Sequence, residues 1–289
     1  MIDDESVEVT PAIAGEVVEL SAPVGDTDIQ FEAYKAWAKE VLLIDFDSTD
    51  TARFYNVNSS AAIQTVNGHA FSRDFSKFLE RCEAEYMAQH GTALLMRHDA
   101  DPGFVVKTYK SVVNKSYRLN RVNNSRYPDA PLGGVWVTPE NWYELMDDLI
   151  RTRIVCTFID GPKLIAARLQ TYADERGLIS HQETHQRDRG YYAYHVYVKI
   201  PVDLLLPSTS GVVTKAGQLS VEIQLTTQLQ DVLYDLTHPI YETLRVNPEA
   251  NSDEWKWDFS SDRFKLGYMA HTLHMLEALI LEHRNKARS

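Results

Sequence analysis

The run Val221-Glu222-Ile223-Gln224-Leu225-Thr226-Thr227 reads as a core β-strand, yet it carries a carboxylate. Burying that carboxylate costs several kcal/mol unless a metal, a cation or hydrogen bonds compensate it. Strand alternation sets Glu222 and Gln224 on one face and Val221 and Ile223 on the other. A second segment, Gly190-Tyr191-Tyr192-Ala193-Tyr194-His195, offers three aromatic rings and an imidazole beside a flexible glycine. Its alternation predicts a strand over residues 191–200. Rings near an acid suited to a metal suggest a pocket for a base and its phosphates.

Length and charge narrow the classes. A chain of 289 residues, 44% hydrophobic, supports a sizeable core. No apolar stretch approaches the ~20 residues that span a bilayer, and the opening Met1-Ile2-Asp3-Asp4-Glu5 has the wrong charge for a signal peptide. Cys82 and Cys156 are too few and too distant for a disulfide framework or a zinc motif, so a reducing cytoplasm is the expected setting. The net charge of −12 argues against a nucleic-acid coat protein. Residues 1–34 hold nine acids and no Lys or Arg, whereas residues 107–126 hold six basic residues and no acid.

The chain divides accordingly. Residues 1–28 read as an acidic, flexible lead, and 29–104 as a helical region with helical spacing over 29–46 and 71–90 and Gly91 as a C-cap. The core would occupy 105–246. It opens with a basic helix over 105–120 and continues with one starting at Thr138-Pro139 and running to Leu149. A strand at 153–158, a helix at 162–176 ended by Gly177, and a Ser/Thr/Gly-rich connection over 207–217 precede the Val221 strand. Helices at 229–244 and 266–283 follow, the second within a C-terminal extension, 247–289. The order implies an α+β (or α/β-like) domain with helical flanks.

On the basic helix, Lys107, Lys110, Asn114, Arg118 and Arg121 would share a face, with Lys115 beside it. Either that face is solvated or it cradles a polyphosphate. Asp148, just ahead of Arg153, pairs naturally with Glu222 as the two carboxylates magnesium needs beside phosphate oxygens. A lone His98-Asp99 has no further metal-spaced partners.

Taken in order, Val106-Lys107 with Lys115 and Arg118, the stretch from Met146-Asp147-Asp148 through Arg153, Arg187 with Gly190-Tyr191 and His195, and Val221-Glu222-Ile223-Gln224 with Thr227 resemble the synthetase domain of the RelA/SpoT alarmone synthetases. The chain is close in size to the single-domain small members, some of them toxic. The resemblance implies a mixed-sheet core related to nucleotidyltransferases. The reaction it implies moves the β,γ-pyrophosphate of ATP to the 3′-hydroxyl of GDP or GTP. Lys107, Lys115 and Arg118 would hold the ATP phosphates and Arg153 would lie against adenine. Asp148 and Glu222 would bind Mg2+, with Glu222 assisting deprotonation of the acceptor. Tyr191 would stack the acceptor base, and Arg187, His195 and Gln224 would line the acceptor side.

Three positions depart from the family pattern: Val105 and Thr226 stand where arginines are usual, and Tyr192 replaces a polar or basic residue. These departures keep two alternatives in view: transfer to adenine nucleotides or to the 3′ end of tRNA, and a catalytically weak nucleotide-binding regulator. An antitoxin or a second copy of the chain would be a further partner; no membrane is expected.

Overall fold

The computed structural model describes residues 26–96, 102–186, 192–208, 211–245 and 256–287. Arg187 and Tyr191, the His98-Asp99 pair and the acidic lead through residue 25 lie outside them.

Helices α1 (Asp26–Val41), α2 (Thr49–Gly68), α3 (Ala70–Arg73) and α4 (Phe75–His90) come first. The short strand β1 (Val105–Val106), helix α5 (Tyr109–Tyr117) with a π-helical turn at Arg118–Val122, and α6 (Trp142–Leu145) follow. Then come β2 (Ile150–Cys156), α7 (Gly161–Asp174), β3 (Ser180–Gln186), β4 (Tyr192–Ser208), β5 (Gly211–Thr227), α8 (Gln228–Arg245) and α9 (Asp262–Lys286). The sheet order is β1-β2-β5-β4-β3; β2 runs parallel to β5 and the other neighbours are antiparallel. This is the α+β architecture with a mixed sheet that the sequence implies.

Alternation gives the sheet two unlike faces. Ile154 and Cys156 of β2, Ile223 and Leu225 of β5, and Val196 and Val198 of β4 are all buried on one side. Helix α7 covers that side with Ile165, Ala166 and Leu169. The same core continues into the first helices through Tyr34, Tyr55, Phe71, Phe75 and Leu79. Buried polar tips find partners there: Trp142 Nε1 donates to Ser116 Oγ at 2.7 Å, and the Asn120 amide bridges Tyr34 and Val137.

Several elements differ from the sequence reading. The segment 105–120 is not one helix, because Val105 and Val106 pair with Arg151 and Ile150, and the helix begins only at the Thr108 cap. Lys107 therefore precedes the helix and does not share its face. The helix expected to reach Leu149 stops after Leu145. Asn141 spends its amide on Thr138 N and Trp136 O, Met146 turns extended, and Leu149 O accepts from Lys107 N at 2.8 Å. The connection over 207–217 is largely strand, since β4 and β5 stay paired out to Ser208 and Gly211. Asn58 of α2 seats this long hairpin by bonding both Leu205 N and Leu205 O at 2.8 Å. Strand β3 and helix α2 were not read from the sequence. Gly91 and Gly177, by contrast, adopt positive φ where they end their helices.

Gly161 marks a close approach of α7 to the sheet. A Cβ there would lie 2.8 Å from both Cys156 Cβ and Leu94 Cδ1. Gly161→Ala should therefore lower unfolding free energy by about 1–3 kcal/mol in chemical denaturation; an unchanged midpoint would show that α7 can shift without cost.

Candidate active site

On the face opposite α7, cross-strand register lines up polar residues in two rows. One row is Arg151, Glu222, Tyr197 and His181; the next is Arg153, Gln224, His195 and Glu183. Glu222 is only 4% exposed, and both its oxygens are engaged. The Nδ1 of His195 lies 2.7 Å from Oε1, Tyr197 donates its hydroxyl to the same oxygen at 3.3 Å, and Gln224 Nε2 donates to Oε2 at 2.8 Å. Burial opposes ionisation of Glu222, but the hydrogen bond and charge of His195 outweigh it and hold the carboxyl below its usual range. Burial, reinforced by Glu222, pushes the Tyr197 phenol well up, so it remains a donor.

A second carboxylate stands at the start of β2. Asp148 Oδ2 accepts from Lys107 Nζ at 2.7 Å and Oδ1 accepts from Lys115 Nζ at 2.6 Å. Three local structures bring these groups together. Strand β1 pins Lys107 beside the turn before β2, Tyr55 donates its hydroxyl to Lys107 O at 2.5 Å, and the Thr108 cap orients α5 so that Lys115 points inward. Burial opposes the charge on Asp148, but Lys115 and Lys107 together depress its carboxyl far below the ordinary carboxylate range. Asp148 and Glu222 feel each other electrostatically, as expected from Glu222 lying in register with Arg151.

The structure thus gathers Lys107, Lys115 and Asp148 into one cluster and His195, Glu222 and Gln224 into an adjoining one. Arg153 sits on β2 beside Gln224, but its guanidinium turns to α8. There it pairs with Asp231 at 2.8 Å and lies 4.3 Å from the Tyr234 ring centroid. Arg118 opens the π-helical turn after α5. Tyr197 and its stacking partner His181, 4.7 Å away between ring centroids, belong to the site and were missed. The signal for Tyr197 was available, since it stands two positions after His195 on an alternating strand.

Among the described residues, no group of three or more His, Cys, Asp or Glu could by itself hold a metal. Asp148 and Glu222 lie near enough to interact electrostatically, and magnesium, which retains waters and takes phosphate oxygens as its remaining ligands, needs only one or two such carboxylates. Chemically, the face offers cations for phosphate, carboxylates for a divalent ion, and a held carboxylate able to take a proton.

Asp148→Asn would leave two ammonium groups without their counter-charge, and should destabilise the fold by roughly 3 kcal/mol. Because Asp148 titrates lower in the folded state, its contribution is complete above about pH 4 and disappears as pH falls through the folded value. Denaturation against pH should show that acid-dependent component in the parent and its loss in the variant; identical profiles would contradict the pairing.

No family model matches the chain, and neither does any curated protein sequence. Solved structures do. Small alarmone synthetase 1 from Bacillus subtilis aligns at 17% identity and a TM-score of 0.49, over 81% of this chain and 96% of that one. A GTP pyrophosphokinase family protein from Streptococcus pneumoniae aligns at 17% and 0.49, over 83% and 95%. Small alarmone synthetase 2 from Bacillus subtilis aligns at 19% and 0.44, over 73% and 95%. Each of these is what the chain is similar to in structure.

Proposed function

We propose that the chain is an ATP-dependent pyrophosphotransferase, with GDP or GTP as acceptor. The observation that supports this reading is the Lys107–Asp148–Lys115 cluster just ahead of β2, within electrostatic reach of the Glu222–His195–Gln224 cluster on the polar sheet face. The resemblance supplies the reaction, and the two clusters support the phosphate and metal parts of it.

Polyphosphate entering beside Asp148 would compete for Lys107 and Lys115, which are already desolvated and aimed at an anion. Asp148, released from them, and Glu222 are the carboxylates that would hold magnesium, which would neutralise charge on the transferred group. The acceptor 3′-oxygen attacks the β-phosphorus of ATP, the bond from that phosphorus to the bridging α,β-oxygen breaks, and AMP leaves. The hydroxyl proton passes to Glu222, whose carboxylate is held ionised by His195 and aligned by Tyr197 and Gln224. In this reading Arg153, paired with Asp231 and lying against the Tyr234 ring, would meet the donor base, and Arg118 would meet the phosphates. Arg187 and Tyr191 complete the acceptor side in this reading.

Thr226 favours keeping a second acceptor in the test. It lies in the third front-face row, opposite Val155, and brings no charge where an arginine is usual. Incubation with ATP labelled in the β,γ-positions and, separately, GDP, GTP, adenine nucleotides and tRNA distinguishes the acceptors. Label in GDP or GTP is expected. Label confined to tRNA or adenine nucleotides would replace the acceptor, and no transfer to any would leave a nucleotide-binding regulator. Glu222→Gln should lower transfer at least ~100-fold, the size of a general-base contribution, and full turnover in that variant would remove Glu222 from the mechanism.

A further inference from the structure

A cavity that none of the proposed catalytic residues lines lies at the end of β4 and β5, mostly on the reverse side of the sheet and reaching Ala193 and Thr226 at its edge. Its volume is about 230 Å³, and it lies where α9 and the start of α8 close over β4, β5 and the N-terminus of α7. Tyr192 forms one wall; it stands on the face shared with Val196 and Val198, away from Glu222. Its ring stacks on His274 with centroids 3.7 Å apart and planes 7° from parallel, and its hydroxyl lies 2.5 Å from His271 Nδ1. Ile159, Pro162 and Leu225 contribute apolar lining.

Two buried groups in this cavity lack the partners their chemistry calls for. Glu277 is 6% exposed, yet its bonding partners are the neutral Thr227 hydroxyl and Gln230 amide. The described residues lining the cavity include no lysine or arginine. The second group is His274 Nδ1, buried without a hydrogen-bond partner and 3.7 Å from Glu277 Oε2. Burial pushes Glu277 up and His274 down, so both drift toward their uncharged forms. A neutral imidazole presents a lone pair, and a carboxyl group that lacks a counter-charge presents a place for one.

We propose that this cavity binds a small primary alkyl- or arylalkylamine, its ammonium on Glu277 and His274 Nδ1 and its hydrocarbon part against Ile159, Pro162 and Leu225. An ammonium has three donors, which the Glu277 carboxylate, the His274 lone pair and the Gln230 carbonyl oxygen can accept. One carboxylate selects a monocation over a diamine. The aromatic wall adds cation–π attraction. A neutral polar molecule of the same size would fill the apolar part and leave Glu277 without its counter-charge.

The test is isothermal titration of the full chain with n-butylamine and phenethylamine, using 1-butanol as the uncharged counterpart. The amines should bind at least about ten-fold more tightly than the alcohol, the scale of a charge-assisted hydrogen bond. They should also raise the melting temperature, because only the folded chain has the cavity. Glu277→Gln, which keeps the shape and removes the charge, should abolish that preference, and Tyr192→Leu should weaken the amines. Glu222→Gln, on the other face, should leave amine binding unaltered. Equal binding of amine and alcohol, no amine binding, or full amine affinity in Glu277→Gln would each overturn the proposal. Should Glu277→Gln not fold, the amine-to-alcohol ratio in the parent chain decides.

Discussion

A carboxylate placed in the middle of a sheet governs this structure. Glu222 sits on β5, which has β2 on one side and β4 on the other, so both flanking strands must supply what its charge requires. Strand β4 meets the requirement with His195 and Tyr197, one opposite Gln224 and the other opposite Glu222. Gln224 meets it from the same strand. Each partner is fixed by register, and a one-residue slip would send His195 into the apolar face and Val196 against the carboxylate. The polar network therefore specifies the pairing of β4 with β5 as firmly as the apolar face does.

The Asp148 cluster applies the same logic at the edge. Two lysines and one carboxylate leave an excess positive charge in a partly buried place, an arrangement poor in stability and rich in affinity for anions. Asp148 satisfies both lysines, and in the proposed reaction it would become available when phosphate takes them. Binding of a polyphosphate and release of a carboxylate for a divalent ion would then be one event.

How much of this was legible depended on whether the signal was local. Glu222 and Gln224 on one face follow from the period of a strand, and Gly91 and Gly177 end helices because they can take positive φ. Asp148 as a key acid could be picked out by its place before a β-rich run. The lysine face could not be read correctly, because Val105 and Val106 look helical beside basic residues until β2 is known to pair with them. Strand β3 was invisible for a related reason. Ser180-His181-Gln182-Glu183-Thr184 has little apolar alternation and owes its extended form to pairing with β4. Arg153 was placed on the correct strand, but its bracing by α8 depends on a contact 78 residues away.

Tyr192 shows how one departure from a family pattern can have two meanings. Read along the strand, it adjoins the segment that the resemblance assigns to the acceptor and suggests an altered acceptor. In the sheet, its parity turns it to the reverse face, where it stacks on His274 of α9. A polar or basic residue at that position would bring a side chain, and in the basic case a cation, toward Glu277. The tyrosine instead supplies an aromatic wall and leaves the carboxyl without a counter-charge. The substitution is thus tied to α9, the element that closes the cavity, whose lining also includes Thr226.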